Sequence, residues 1–409
     1  MQVYIGIDWS EEKHAVSFMN EAGAELASLS IAHSLEGFVA FDAARQKLGL
    51  AVEDCLIGLE TAHNLLIDYL WSQQYAQVYV LPPNQVKSNQ GRFRQSQAKD
   101  DPEDACLIAD ILRTDRNRLQ PWHPDSLLTR QMRAKVSLIL HLTVQTTRLS
   151  NRLRSVLLRY YPAALQVFKS GLTTQIAPEF IQAYSTPQAA QTLSYAEFES
   201  FARSHGYRRP QDLASSFARL QADYPPASPE TVAVYHNEAQ VLARLLLETM
   251  CAKLSQLSEL QRLYRQHPSY ATFASLPGAG KLIGPGQLVK FGDDRQRFPH
   301  PSSAQALAGT CPVTKRSGKH KSVVFRRSCD KEWRYLCQEW GMALVYRTQS
   351  PIARAYYEDI RPHCHSEQHA CRCVANRWLA IAWKLWQTGQ VYDEAYHFQQ
   401  RAMHRKLHR

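Results

Sequence analysis

Four carboxylates in the first part of the chain have the spacing of a shared metal site. Asp8 closes the β-rich run Gln2–Asp8, and Glu60 closes a second such run, Leu56–Glu60. Asp101 and Asp104 stand three apart on one predicted helix, and positions i and i+3 share a helix face. Acids crowded on one spot repel each other unless a cation neutralises them, and hard oxygen donors suit Mg²⁺. Two such ions about 4 Å apart clamp the attacking and leaving oxygens of a phosphodiester, so the implied chemistry is phosphodiester cleavage. Plainer roles stay open: Asp101 before Pro102 fits an N-cap with proline at N1, and Asp8 and Glu60 fit caps of a turn and of the next helix. Asp100, four residues before Asp104, competes for the third position.

Two further segments have phosphate chemistry in their residue types. Ser275–Gly280 holds a Gly-x-Gly turn, Gly278 and Gly280, followed by Lys281 and an apolar helical stretch. Free backbone N–H groups at such a turn hold a phosphate without reading a base. It is no Walker loop, since no Gly-Lys-Ser or Gly-Lys-Thr ends it. Pro312–Arg327 places Ser317 between Arg316 and Gly318-Lys319, with Lys315, Lys321, Arg326 and Arg327 nearby. A serine hydroxyl attacking phosphorus needs its developing charge stabilised, and guanidinium groups do this while gripping phosphate bidentately. By spacing alone the segment is equally a basic loop with a solvated serine.

The elements that must position these residues fall into two patterns. Runs at Gln2–Asp8, His14–Met19 and Leu26–Ile31, joined by short turns, predict an antiparallel meander. A helix capped by Ser34, a strand at Leu56–Glu60, a helix over Asn64–Gln74 and a strand at Val78–Leu81 complete the order βββαβαβα. That is a mixed-sheet α/β pattern used by the ribonuclease-H-like fold, whose first and fourth strands are neighbours. Asp8 and Glu60 would then lie side by side.

From about Ser126 long helices replace the alternation. Leu138, Leu142, Leu149, Leu153 and Val156 predict one long helix or hairpin, and Leu247, Met250, Leu254, Leu257 and Tyr264 a coiled-coil seam or a face packed on the earlier helix. Residues 163–223 read as a helical insert ended by the breaker run Tyr224–Pro229. The expected architecture is α/β plus α: residues 1–125, 126–266 as a helical, coiled-coil linker and insert, and 267–409 as a mainly helical domain with a basic tail, RAMHRKLHR.

Composition agrees with a nucleic-acid partner. The 409 residues, 44% apolar, fill more than one core, which excludes disorder. The net charge of +11 is uneven: residues 1–125 carry 10 basic and 18 acidic side chains, and the remainder 38 and 19. An acidic front suits cations and a basic majority suits a polyanion. Nine cysteines without framework spacing, no signal-peptide pattern and no apolar run of ~18 residues predict a soluble protein of a reducing cytoplasm, with no membrane partner.

Taken together, Gly6-Ile-Asp8, Gly58-Leu-Glu60, Lys99-Asp-Asp101-Pro-Glu-Asp104-Ala105, Leu276–Gly280, Gly309–Lys319 and the Ala375-Asn-Arg-Trp-Leu segment resemble the insertion-sequence transposases related to the Piv and MooV invertases. The resemblance spans nearly the whole chain, residues 163–230 being least diagnostic. It implies an N-terminal RuvC-like domain and a C-terminal transposase domain. It puts the Asp-Glu-Asp-Asp tetrad on Asp8, Glu60, Asp101 and Asp104, preferring Asp101 as the residue two after Lys99, and the nucleophilic serine on Ser317. Asp100 stands where relatives often carry a small or hydroxyl residue. The implied activity is cleavage of donor and target DNA through a phosphoserine intermediate, Mg²⁺-assisted, guided by a structured non-coding bridge RNA. The implied assembly is a tetramer whose subunits share composite centres, working at the bacterial nucleoid. Gly278, Gly280, Lys281, Lys315, Arg316, Lys319, Lys321, Arg326 and Arg327 are the expected nucleic-acid contacts.

Two other functions fit the same residues: a metal-only nuclease or junction resolvase with water as nucleophile, and a non-catalytic nucleic-acid scaffold. A histidine and cysteine cluster lies further on, and Cys364, His365, Cys371 and Cys373 form an imaginable zinc set. Because Cys371-x-Cys373 lacks the usual C-x-x-C spacing and runs into a helix, no zinc is expected there.

Overall fold

The computed structural model describes residues 2–60, 65–92, 101–168, 171–207, 209–318, 320–348 and 350–407. The chain divides into two compact units, Met1–Pro124 and Asp125–Arg409. Within the second unit, Met132, Val136, Leu260 and Leu263 of the helical hairpin share a core with the C-terminal elements.

In the first unit β1 (Val3–Asp8), β2 (Lys13–Asn20) and β3 (Glu25–Ala32) form the meander, followed by α1 (Leu35–Lys47), β4 (Cys55–Leu59), α2 (Leu65–Ser72), β5 (Val78–Val80), α3 (Pro83–Asn89) and α4 (Asp101–Asp115). The sheet order is β3-β2-β1-β4-β5, antiparallel across the meander and parallel for β1 with β4 and β4 with β5. Successive side chains of a strand point to opposite faces. Val3, Ile5 and Ile7 join one core with Phe38 and Phe41 of α1 and Leu66 and Leu70 of α2, while Tyr4 on the other face packs with Ala109 and Leu112 of α4. Both faces are covered, which is why β1 reads as an almost unbroken apolar run.

The second unit is built on two long helices, α5 (Leu127–Tyr160) and α11 (Pro229–Gln266). They run antiparallel: Lys135 Nζ meets Glu259 at 2.8 Å near one end, and Arg152 Nε meets Glu238 at 2.7 Å toward the other. Ser126 caps α5 through the Thr129 amide, and Asp293 braces the same corner. Asp293 accepts from the Ser126 amide at 2.7 Å and from the Thr129 hydroxyl at 2.8 Å, with His267 Nε2 at 3.2 Å. Burial pushes its carboxyl up, but these hydrogen bonds, led by His267, outweigh that and hold it well below the usual carboxylate range.

Between the long helices, α6 (Ala164–Val167), α7 (Ile176–Ala183), α8 (Pro187–Gln191), α9 (Tyr195–Ser204) and α10 (Leu213–Leu220) close over the far end of the hairpin. Their shared core includes Phe168, Phe180 and Phe198. The predicted seam is only partly buried. Leu153 and Val156 are core residues, but Leu138 and Leu254 are exposed, and Ala239, Ala243, Leu246, Leu260 and Leu263 carry the burial on α11. Each long helix serves a different core at each end, so its buried face does not follow one heptad register.

The remaining elements are α12 (Tyr270–Ala274), α13 (Ile283–Phe291), α14 (Pro301–Leu307), the hairpin β6 (Val313–Ser317) and β7 (His320–Val324), α15 (Lys331–Tyr346), α16 (Pro351–Ile360), α17 (Glu367–Thr388) and α18 (Glu394–Leu407). Trp333, Trp340, Trp378 and Trp386 fill their core. Among the described residues no helix is long and apolar enough to cross a membrane.

Candidate active site

Asp8 and Glu60 share one end of the sheet. The parallel register pairs Gly6 with Gly58 and Ile7 with Leu59, so Asp8 and Glu60 are the next positions on neighbouring strands. Gly6 lies two residues before Asp8 and therefore on the same face. A Cβ at Gly6 would collide with the Ala105 carbonyl oxygen and lie 2.5 Å from the Ala109 nitrogen. At Gly58 it would reach 3.0 Å from the Ile108 side chain. The two glycines let α4 settle directly on β1 and β4, and its first turn then arrives beside the strand ends.

That approach gathers three carboxylates. Asp8, half-buried, Asp101, exposed, and Asp104, buried, each offer an oxygen, and these atoms all lie within 4.8 Å of one another. Glu60 is half-buried at the adjoining strand end and is not part of this close group. Asp100 and Lys99 lie outside the described residues. Three hard oxygen donors at this spacing fit a divalent cation such as Mg²⁺ or Mn²⁺ and do not fit a soft one.

In the second unit Ser317 ends β6 and pairs directly with His320 at the start of β7. Only Gly318 and Lys319 separate them; Gly318 has φ +54°, the left-handed conformation of a tight hairpin turn, and Lys319 lies outside the described residues. Lys315, Arg316, Ser317 and Lys321 are all exposed, and Arg316 stands directly opposite Lys321. Like charges placed opposite each other destabilise a hairpin, so this pair costs the strand pair some of its own stability. His320 was not among the residues singled out from sequence; a serine and a histidine flanking a two-residue Gly-led turn is the pattern that would have found it.

An isolated two-stranded hairpin is marginal, and this one is braced at its foot. Arg326 donates to the carbonyl oxygens of Cys311 at 3.3 Å and Pro312 at 3.5 Å. Phe325 lies under two guanidinium groups, Arg334 at 5.3 Å and Arg372 at 4.9 Å. Arg326, one of the expected nucleic-acid contacts, is half-buried and braces the hairpin through these carbonyls, whereas Arg327 is exposed.

The glycine turn divides in the same way. Gly278, at φ +73°, packs inward, where a Cβ would meet Thr348 at 3.2 Å and Trp340 at 3.4 Å. Trp340 Nε1 donates to the neighbouring Pro277 carbonyl at 2.8 Å. Gly280 and Lys281 are the exposed members. The need for glycine at 278 therefore comes from its left-handed backbone and its inward packing.

The chain thus carries a cluster of acids at the end of a mixed sheet and, in its second unit, an exposed basic hairpin. Residues 5–162 match the DEDD transposase family of IS110 elements, and residues 270–358 match the transposase IS116/IS110/IS902 family. The chain belongs to the IS110/IS116/IS902 family of insertion-sequence transposases. It is 29% identical to the mini-circle candidate transposase for IS117 of Streptomyces coelicolor, covering 96% of each chain. It is 25% identical to a 42 kDa protein of insertion element IS900 of Mycobacterium paratuberculosis, covering 96% of this chain and 98% of the relative. To a 43.6 kDa protein of insertion element IS110 of S. coelicolor it is 24% identical, covering 73% of each.

Proposed function

We propose that the protein is an RNA-guided DNA recombinase that moves an insertion sequence, cutting and rejoining DNA through a phosphoserine intermediate on Ser317. Asp8, Glu60, Asp101 and Asp104 would hold Mg²⁺. The observation that carries this reading is an exposed Ser317 flanked by the exposed cations Lys315, Arg316 and Lys321, in a chain whose Asp8, Asp101 and Asp104 also converge within 4.8 Å. When bound, the divalent cation offsets negative charge on the phosphate oxygens.

The chain's own residues do the rest. Ser317 Oγ forms a bond to phosphorus as the bond from phosphorus to a sugar oxygen breaks. Its proton passes to His320, its register partner across the hairpin, while the leaving sugar oxygen, on the opposite side of phosphorus, takes a proton from solvent. Lys315, Arg316, Lys321 and Arg327 hold the phosphate backbone, and Gly280 with Lys281 offers a second contact. The ester conserves the energy of the broken bond, so rejoining needs no outside energy source. Target choice by a structured non-coding RNA and assembly as a tetramer belong to the same reading.

Ser317→Ala tests it on denaturing gels. The variant keeps nucleic-acid binding and loses protein-linked DNA; recombination at the wild-type rate would remove the serine from the mechanism. The acid cluster by itself favours a second reading, a metal-dependent nuclease with water as nucleophile. That enzyme cuts DNA without ever forming a covalent link to it. Sequencing the RNA that co-purifies with the protein separates a guided recombinase, with one discrete structured species, from an unguided enzyme.

A further inference from the structure

At the start of α17 three metal-binding side chains converge that the proposed reaction does not use. Cys364, His369 and Cys373 each offer one ligand atom, and these atoms all lie within 4.8 Å of one another. All three side chains are half-buried. His369 and Cys373 are four residues apart and share a face of α17. Cys364 comes from the turn that follows α16, where its amide donates to the Arg361 carbonyl at 3.1 Å and its own carbonyl accepts from the Arg361 guanidinium at 3.3 Å. Ser366 then caps α17 by accepting from the His369 amide at 3.2 Å. Turn and helix are thus held in place by their own hydrogen bonds before any ion is considered.

The set differs from the one imagined from sequence. Cys371 points the other way, buried in the tryptophan-rich core, and its carbonyl lies so close to Gly341 that a Cβ there would strike it. His369 takes its place. Two thiolates and an imidazole are soft and borderline donors, which select zinc over the hard cations that suit the carboxylates of the first unit. At zinc bond lengths of about 2.3 Å to sulfur and 2.0 Å to nitrogen, tetrahedral ligand atoms sit roughly 3.5–3.8 Å apart, within reach of small side-chain rotations. The exposed His365 ring is stacked with that of His369 at 5.9 Å between centroids.

We propose that Cys364, His369 and Cys373 bind one zinc-class ion, with His365 completing the tetrahedron, so that the turn after α16 is stapled to the first two turns of α17. Binding expels one proton from each thiol and leaves a neutral imidazole as donor. The consequence reaches the hairpin: Arg372, between these ligands on α17, is one of the two guanidinium groups over Phe325.

The test uses the full chain, loaded with Zn²⁺ or Co²⁺ and desalted. Elemental analysis should give about one zinc per chain, lost in Cys364→Ser and Cys373→Ser and kept in Cys251→Ser, whose thiol is exposed on α11. The Co²⁺ form should show a thiolate-to-cobalt charge-transfer band, which survives Asp8→Asn because the carboxylate site has no sulfur. If the serine variants do not fold, the cobalt band of the wild-type chain still decides. The proposal fails if desalted protein carries no stoichiometric zinc while all nine thiols titrate as free. It also fails if mass spectrometry finds a Cys364–Cys373 disulfide in its place.

Discussion

Gly6 lies directly beneath Ala105: a side chain on the strand residue would occupy the space of the helix residue's carbonyl oxygen. This contact sets how near α4 comes to β1, and so whether Asp101 and Asp104 reach Asp8. Gly6→Ala must push the helix off the sheet, since backbone cannot yield as a flexible side chain does. We expect a loss of roughly 3 kcal/mol or more, read by denaturant unfolding, together with loss of divalent-cation binding. Gly91→Ala is the control, because among the described residues nothing lies within 4 Å of its Cβ position, and it should stay within about 0.5 kcal/mol of wild type.

The carboxylate cluster predicts a metal-dependent gain in stability. An ion that binds only the folded state stabilises by about 2.7 kcal/mol at a concentration of 100 Kd. Raising Mg²⁺ or Mn²⁺ should therefore raise the melting temperature of the wild-type protein. Asp104→Asn, at the buried member of the cluster, should shrink that gain severalfold. Equal metal-induced shifts in the two proteins would remove Asp104 from the ligand set.

Arg316 opposite Lys321 predicts a trade of hairpin stability against binding. Arg316→Gln relieves cross-strand repulsion by about 0.2–1 kcal/mol yet loses a phosphate contact. Duplex DNA affinity should fall severalfold at low salt, and the slope of log K against log salt should flatten by ~0.9 if one phosphate contact is lost. Filter binding across a salt series measures both. An unchanged slope would mean that Arg316 touches no phosphate.

His14 is fully buried, with its Nε2 2.8 Å from His33 Nδ1 and its ring stacked on Phe38. Burial, and then the charge of His33, push its pKa down to about 4. The unfolded chain takes up this proton near pH 6.5 and the folded one only near 4, so the unfolded state binds more protons in between. Stability is complete above pH 6.5 and drains away as pH falls toward 4, by roughly 3 kcal/mol at most. Denaturant melts from pH 7 to 4.5 should show this slope, and His14→Phe should flatten it.

Much of the first unit was legible because its periodicities are short. Alternation placed Asp8 and Glu60 at strand ends, and three-residue spacing placed Asp101 and Asp104 on one helix face. The meander and the adjacency of β1 and β4 followed from the order of elements. In the second unit the same reasoning reached the helices but not their buried faces. Leu138 and Leu254 fit a heptad and are nonetheless exposed, because the two cores that the long helices serve lie at opposite ends. Arg326 looked like one more cation of a basic loop until its guanidinium met the carbonyls of Cys311 and Pro312.

The residues alone determined the kinds of chemistry present: hard acids in front, a serine among cations behind, and helices between. They could do so because charge, donor type and local period are written into neighbouring positions. Which cysteine joins a histidine and which turns inward, and which glycine carries packing and which meets solvent, was decided only by tertiary structure. A helix presents every side to its surroundings, and only the partners packed against it determine which side is inside.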